Sequence, residues 1–264
     1  VPQPLHASPR RSCIPASVAD KPEGERINRY LARCGIASRR KADALIREGR
    51  VTIDGKPATL GARVFPESVV CVDGQRVQPV RAHLHLLYNK PAGEVVARSD
   101  PQGRRTIFDR IEVPANVQPV GRLDVATEGL LLLTSDGELL QRLIRPQTGI
   151  VREYRARVRG HLDEDALLAL RRGGIPIGRG EQSAPWDVVV ERELSSNSWL
   201  RIRLARGRWR EVRRTLAAIG HPVLRLIRVR FGPIVLDPVR DPPGSFRPLK
   251  KSEIKRLYRA AGLE

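Results

Sequence analysis

The sequence predicts an α+β protein. A small unit of two helices and short strands precedes a larger domain built on a largely antiparallel mixed sheet flanked by helices. Apolar residues recur at helical spacing in short stretches near residues 27–34 and 42–46. Strand-length runs bounded by Asp-Gly, Gly-Gly and Pro then recur from residue 51 to residue 236. Between them lies the stretch that organises the chain. It runs from Gly121-Arg122-Leu123-Asp124 to Gly129, then through Leu130, Leu131, Leu132 and Leu133 into Thr134-Ser135-Asp136-Gly137. Four leucines between a glycine and such a turn read as a strand buried on both faces.

Length and charge bound the partner. At 264 residues the chain holds one large domain or two unequal ones. Lys plus Arg total 48 against 29 Asp plus Glu, a formal charge of +19, which favours a polyanion. Aromatics at 4% are too few for single-strand binding that rests mainly on stacking. No basic helix with a bulky apolar face appears in the pattern, so nucleic acid is preferred over an acidic membrane. No apolar run approaches the ~20 residues of a membrane span. Residues 1–24 carry five prolines and no periodic apolar pattern, and read as a disordered basic leader. That leader lacks a signal peptide's apolar segment, so a cytoplasmic location is expected. Cys13, Cys34 and Cys71 are odd in number and lack a C-x-x-C pair, as expected of reduced thiols. His83 and His85 read as strand histidines, and no metal is expected.

Taken in order, Ile27, Tyr30, Leu31 and Cys34 form one helical stripe, with Arg26, Arg29 and Arg33 on another face. Gly35 ends that helix. Ser38 caps a second, with Ala42, Leu45 and Ile46 facing inward and Gly49 as its stop. Arg39, Arg40 and Lys41 fill its first turn, where the helix dipole opposes cations. A phosphate at that end would be held by side chains and free N–H groups together. Strands at 51–53 and 69–72 each run into an Asp-Gly turn.

Residues 79–83 read as a linker to the larger domain, 84–264. Its first strand, 84–88, ends at Asn89-Lys90-Pro91-Ala92-Gly93, and Asp100-Pro101-Gln102-Gly103-Arg104 forms another turn. The loop before the four leucines holds Arg122, Asp124 and Glu128. Asp124 is either a turn residue bonded to its own loop or part of a site carried by a rigid strand. A helix over 138–145 stops at Pro146. Residues 152–159 then alternate as a strand, with Tyr154, Ala156 and Val158 on one face and Arg155, Arg157 and Arg159 on the other. A helix through Leu162 and Leu170 closes at Gly173-Gly174. Strands at 186–190 and 199–205 flank a turn from Ser195 to Ser198. The arginine-rich run 206–214 enters a helix lined by Val212, Leu216 and Ile219. Strands at 224–229 and 234–236 complete the sheet, and Ser252 caps a last helix through Ile254, Leu257 and Tyr258.

Gly121-Arg122-Leu123-Asp124, with Thr127, Gly129, four aliphatics and Thr134-Ser135, is similar to the signature of one bacterial ribosomal RNA pseudouridine synthase family. That family carries an N-terminal domain of the ribosomal-protein-S4 type, which residues 25–80 resemble. Lys90-Pro91-Ala92-Gly93 resembles the motif that opens the family's catalytic domain. Gly207, Glu211, Val212, Arg213 and Arg214 resemble its Gly-x-x-x-Gln/Glu-Val-Arg/Lys-Arg pattern. Two positions depart from it. Arg152 replaces the lysine of a Lys-x-Tyr pattern ending at Tyr154, and Trp209 stands where related sequences have asparagine. That tryptophan either removes a polar contact to RNA or adds a stacking platform. The run from Asp100 to Arg104 resembles members acting on large-subunit RNA.

The resemblance implies isomerisation of a uridine in ribosomal RNA, 23S rather than small-subunit, without a cofactor and by a monomer. The bond to N1 breaks, the uracil rotates, and C5 joins C1′. It implies Asp124 as the catalytic carboxylate at the anomeric carbon, as nucleophile, ion-pair partner or sugar-proton base. Tyr154 would stack on the uracil and take or relay the C5 proton. Arg213 would keep Asp124 ionised. Arg26, Arg29, Arg33, Arg39, Arg40, Lys41, Arg122, Arg208, Arg210 and Arg214 are expected to bind RNA. Two rivals remain: a non-catalytic S4-type ribosome assembly protein, and a glycoside hydrolase with Asp124 and Glu128 as its carboxylate pair. The first would need no intact Asp124 loop, and the charge of +19 fits a neutral sugar poorly.

Overall fold

The computed structural model describes residues 24–80, 82–205 and 207–263. The expected leader, Cys13 included, lies outside the described residues except for Gly24.

In the small unit, β1 (Glu25–Arg26) leads into α1 (Ile27–Arg33), and Gly35 at φ +77° turns the chain toward α2 (Arg39–Arg47). Ser38 caps α2 as expected, its hydroxyl accepting from the Lys41 amide at 3.4 Å. Strands β2 (Val51–Ile53), β3 (Lys56–Pro57), β4 (Arg63–Val64), β5 (Val70–Val72) and β6 (Gln75–Arg76) follow. β4 pairs with β1, and the others form an antiparallel sheet in the order β3-β2-β5-β6. Both Asp-Gly turns have positive φ at both residues, the conformation that matches strand twist in a two-residue hairpin. Helices of seven and nine residues are marginal alone. Here Ile27, Leu31, Ala42, Ile46, Val51 and Val70 bury them against the sheet. Cys34 and Cys71 are free, and burial pushes the Cys34 thiol up to about 11.

The larger part contains β7 (His85–Lys90), β8 (Gln118–Pro119), β9 (Thr127–Thr134), α3 (Gly137–Ile144), β10 (Arg152–Arg159), α4 (Glu164–Arg172), β11 (Asp187–Glu193), β12 (Asn197–Leu204), α5 (Glu211–Ala218), β13 (Val223–Phe231), β14 (Ile234–Val235), β15 (Phe246–Pro248) and α6 (Lys251–Ala260). They build one sheet in the order β11-β12-β10-β13-β9-β7-β15, with β14 on β13 and β8 on β9. Its ladders are antiparallel except for β9 with β13, so the expected mixed, largely antiparallel sheet is what forms.

The four-leucine strand is buried on both faces because a separate core lies on each side. Leu130 and Leu132 pack with Leu139 and Leu143 of α3 and Leu257 of α6. Leu131 and Leu133 pack with Tyr88, Ile107 and Ile111. At about 1.5–3 kcal/mol per fully buried leucine, this strand alone contributes an amount comparable with a domain's net stability.

Three local expectations are corrected. The turn expected at Ser195 to Ser198 is tighter, since Asn197 and Ser198 already pair in β12 and the Leu194 amide donates to the Asn197 carbonyl at 2.8 Å. Ser252 does not cap the last helix. Lys250 occupies that place, and the Glu253 carboxylate at the third helical position accepts from its amide at 2.7 Å, the half of a capping box that reaches back to the cap residue. His83 lies outside β7, whereas His85 is buried within it and bonded to Thr134 at 3.0 Å.

Gly129 of β9 lies opposite Arg228 of β13. Its φ is +102°, and a Cβ placed there would lie 2.3 Å from the Arg228 carbonyl oxygen. Gly129→Ala combines backbone strain with a backbone clash. It should destabilise the fold by about 3 kcal/mol or more, measured by urea unfolding.

Candidate active site

Asp124 lies on the loop between β8 and β9, and backbone contacts fix that loop. Leu123 next to it is buried in a core. The Asp124 carbonyl accepts from the Thr127 amide at 3.0 Å, closing a turn. Lys90, at the end of β7, has no exposed surface. Its Nζ donates to the carbonyls of Pro91 (2.9 Å), Val125 (3.1 Å) and Thr127 (2.9 Å). The Gly93 amide adds a bond to the Val125 carbonyl at 2.8 Å. A buried cation is tolerated only with such partners. Burial pushes the Lys90 amine down to about 8, against the pull of Glu94, Glu128 and Asp124.

Tyr154 stands half-buried on the inner face of β10, between two apolar cores. Its register neighbours are Ile202 on β12 and Arg228 on β13. The entry to α5 closes the cleft. Glu211 is buried, and its carboxylate accepts from the amides of Ala184 and Arg208, each at 3.0 Å. This pins the turn through Trp209 to Arg210, whose φ of +49° few residues other than glycine adopt. From there Arg210 Nη1 reaches to 3.7 Å from Asp124 Oδ2.

The cleft thus brings together Asp124, Tyr154, Arg213, Arg122, Arg208 and Arg210, as the sequence led one to expect. It also includes Arg152 and Arg228. The cations have different tasks from those expected. Arg210, not Arg213, forms the ion pair with Asp124. Arg213 braces the loop instead, donating to the Ala126 carbonyl at 2.9 Å and the Val223 carbonyl at 3.3 Å. Burial lowers its pKa, with Arg210 adding to the shift and Asp124 opposing it. Arg214 is outside the cleft lining and 13% exposed. It bonds the Ile177 carbonyl (2.7 Å), Glu181 (2.6 Å) and the Gly178 carbonyl (2.8 Å), so its fork is committed to the 177–181 loop. Arg208 Nη1 donates to the Gln182 carbonyl. Glu128 is held by Arg225 through two bonds of 2.8 Å and does not line the cleft, which removes the carboxylate pair a glycoside hydrolase would need. Trp209 is 52% exposed, with the Arg179 guanidinium 4.1 Å from its ring centre.

The other expected RNA contacts lie on the small unit. Arg29 and Arg33 share Glu25 at 3.0 and 2.7 Å. Arg26, Arg40 and Lys41 are exposed, and so is Arg39, which touches Asn28 at 3.5 Å. No group of three or more metal-ligating side chains occurs among the described residues.

Sequence reasoning missed Lys90, Glu211 and Arg228 as parts of the site. The available signals were a charge ending an apolar strand at Lys90 and an arginine at an inward position of an alternating strand at Arg228.

Asp124 and the buried Glu211 line this cleft with six arginines, in a sheet domain preceded by a basic helical unit, an arrangement suited to an enzyme that works on nucleic acid. The sequence model for RNA pseudouridylate synthase matches residues 84–218, and that for the S4 domain matches residues 25–70. The chain belongs to the RNA pseudouridine synthase family and is therefore an isomerase. It is 41% identical to an "Uncharacterized RNA pseudouridine synthase" of Aquifex aeolicus (strain VF5), covering 90% of this chain and 96% of that protein. It is 42% identical to "Ribosomal large subunit pseudouridine synthase B" of Haemophilus influenzae, over 84% of this chain and 64% of that longer protein. A crystal structure of a pseudouridylate synthase superimposes with a TM-score of 0.62 at 27% identity, covering 88% of this chain and 99% of the other. No helix among the described residues is long and apolar enough to cross a membrane.

Lys90→Met should leave carbonyls of the Asp124 loop without a donor and cost about 3 kcal/mol in urea unfolding. Lys90 sits at about 8 in the folded chain, below the ordinary 10.5 it regains on unfolding. The unfolded chain therefore binds the proton more tightly. Charging the amine opposes folding fully below pH 8, and that opposition fades as pH rises to about 10.5. The stability gap between wild type and Lys90→Met should widen across this window, by at most about 1.4 kcal/mol per pH unit.

Proposed function

We propose that this chain converts a uridine of large-subunit ribosomal RNA to pseudouridine, with Asp124 as its catalytic carboxylate. The observation that carries this reading is the Asp124 carboxylate, paired with Arg210 and lining the same cavity as Tyr154, whereas the cleft's other carboxylate, Glu211, is taken up by backbone amides. The choice of large-subunit RNA is supported by the Haemophilus influenzae and Pseudomonas aeruginosa relatives, which bear that name at 42% and 40% identity.

In this reading residues 25–80 grip RNA and residues 84–264 carry the reaction. Binding lifts the uridine out of its stack at a cost of a few kcal/mol, drawn from contacts of the basic unit and the cleft arginines. Asp124 stabilises positive charge at C1′ as the bond to N1 breaks. Arg210 orients that carboxylate through the ion pair. Tyr154 stacks on the freed base and takes up or relays the C5 proton once C5 has joined C1′. Arg213 acts indirectly, by holding the loop at Ala126. Exposed Trp209 offers a ring to a neighbouring base.

Asp124→Asn removes charge with little change of shape. It should lower single-turnover pseudouridine formation by at least about 10³-fold, roughly 4 kcal/mol of barrier, while RNA affinity is kept. Pseudouridine mapping of ribosomal RNA from cells with and without the gene identifies the target. Loss of a site in large-subunit RNA is the expected result, and an unchanged map would refute the reading. Replacing Arg39, Arg40 and Lys41 together by alanine should flatten the log–log salt dependence of RNA binding by roughly 0.7–0.9 per lost phosphate contact. An unchanged slope would assign the grip to the cleft alone.

A further inference from the structure

Among the cleft's guanidinium groups, Arg228 is the most deeply buried, at 3% exposed. Its Nε donates to the Leu130 carbonyl at 2.7 Å, which fixes the plane of the fork against β9. Its Nη2 is buried without a hydrogen-bond partner. No carboxylate pairs with it among the described residues. The Tyr154 hydroxyl is the side-chain partner of this guanidinium, in a geometry that leaves Nη2 itself without a hydrogen bond. Other cleft arginines are committed elsewhere: Arg210 to Asp124, Arg213 to Ala126 and Val223, Arg152 to the carbonyls of Ile150 and Ala205.

A buried cation with an unused donor is costly, and it persists where something supplied from outside completes it. We infer that Arg228 is a catalytic residue whose Nη2 donates to a ring carbonyl oxygen of the target uracil and stabilises the negative charge that the base acquires as it leaves the sugar. This rests on the pseudouridine synthase reading above. When the N1–C1′ bond breaks, its electron pair departs with the base and spreads over N1 and the carbonyl oxygens. C5 then forms the new bond to C1′, the C5 proton leaves, and N1 gains a proton, so the sum is an isomerisation. Arg228 neither gains nor loses a proton. It supplies a donor, held in place through its Leu130 bond, where charge develops. A base without a carbonyl acceptor at that position would leave the donor unpaired, which makes the same contact a means of selecting uracil.

The test uses bacterial large-subunit ribosomal RNA transcribed with uridine or with 5-fluorouridine, whose base is the better leaving group. Arg228→Lys and Arg228→Gln should lower the single-turnover rate on the uridine transcript by about 10²-fold without a change in RNA affinity. Their deficit in glycosidic bond cleavage should be clearly smaller on the 5-fluorouridine transcript, because a more stable leaving anion needs less help. Equal deficits on both transcripts, a loss confined to affinity, or full activity would each overturn the inference. If both variants fail to fold, wild-type protein is assayed on 2-thiouridine and 4-thiouridine transcripts. Sulfur accepts hydrogen bonds weakly, so one of the two should slow markedly, and equal rates would overturn the proposal. Wild-type protein that modifies neither the uridine transcript nor assembled ribosomal subunits would instead count against the pseudouridine synthase reading itself.

Discussion

The site depends on one buried ammonium. Lys90 gathers three main-chain carbonyls, two of them from the segment that carries Asp124. The carbonyls of Pro91 and Val125 belong to loops and that of Thr127 to the first residue of β9, and the bond to Thr127 is fully buried. An unpaired polar group in that setting opposes folding, and so does an unpaired cation; together they cancel. The consequence is that the loop is held through its backbone and through Leu123, which leaves the Asp124 side chain available to the cleft.

Positive charge is distributed around that carboxylate in graded fashion. Arg210 approaches it directly, Arg213 and Arg152 are tied to main-chain oxygens, and Arg228 is sunk in the sheet. Burial lowers the pKa of Arg152, Arg213 and Arg228 alike, so each raises the electrostatic energy of the cleft. A polyanionic ligand relieves that energy, and low-dielectric walls concentrate the field on it. The small unit adds a separate cationic surface at the first turn of α2, where the helix dipole reinforces it.

Much of this was legible in residue order. The four leucines announced a doubly buried strand, the alternation around Tyr154 placed its ring inward, and each Asp-Gly pair marked a hairpin. Asp124 stood out through its signature. What stayed hidden depends on contacts distant in sequence. The exchange of roles between Arg210 and Arg213 follows from a left-handed residue that no pattern marks, set by Glu211 and the Ala184 loop. Arg214 looks like its neighbours until the 177–181 loop folds over it. β8 and β15 carry no strand alternation of their own and form because β9 and β7 offer them an edge. The Lys250 end of α6 is likewise fixed by an acid further along the helix.

The parallel contact between β9 and β13 has a consequence for synthesis. The bond from Arg228 to Leu130 spans 98 residues of chain, and the cleft draws walls from segments around residues 121–127, 152–154 and 207–231. A growing polypeptide emerges from its N-terminus and folds unit by unit. The small basic unit and the Asp124 loop are therefore made long before the arginines that complete the pocket. A chain arrested before β13 would own an RNA grip and a carboxylate but no enclosed cleft. Such a fragment would hold its RNA without changing it, acting as a competitor of the finished enzyme.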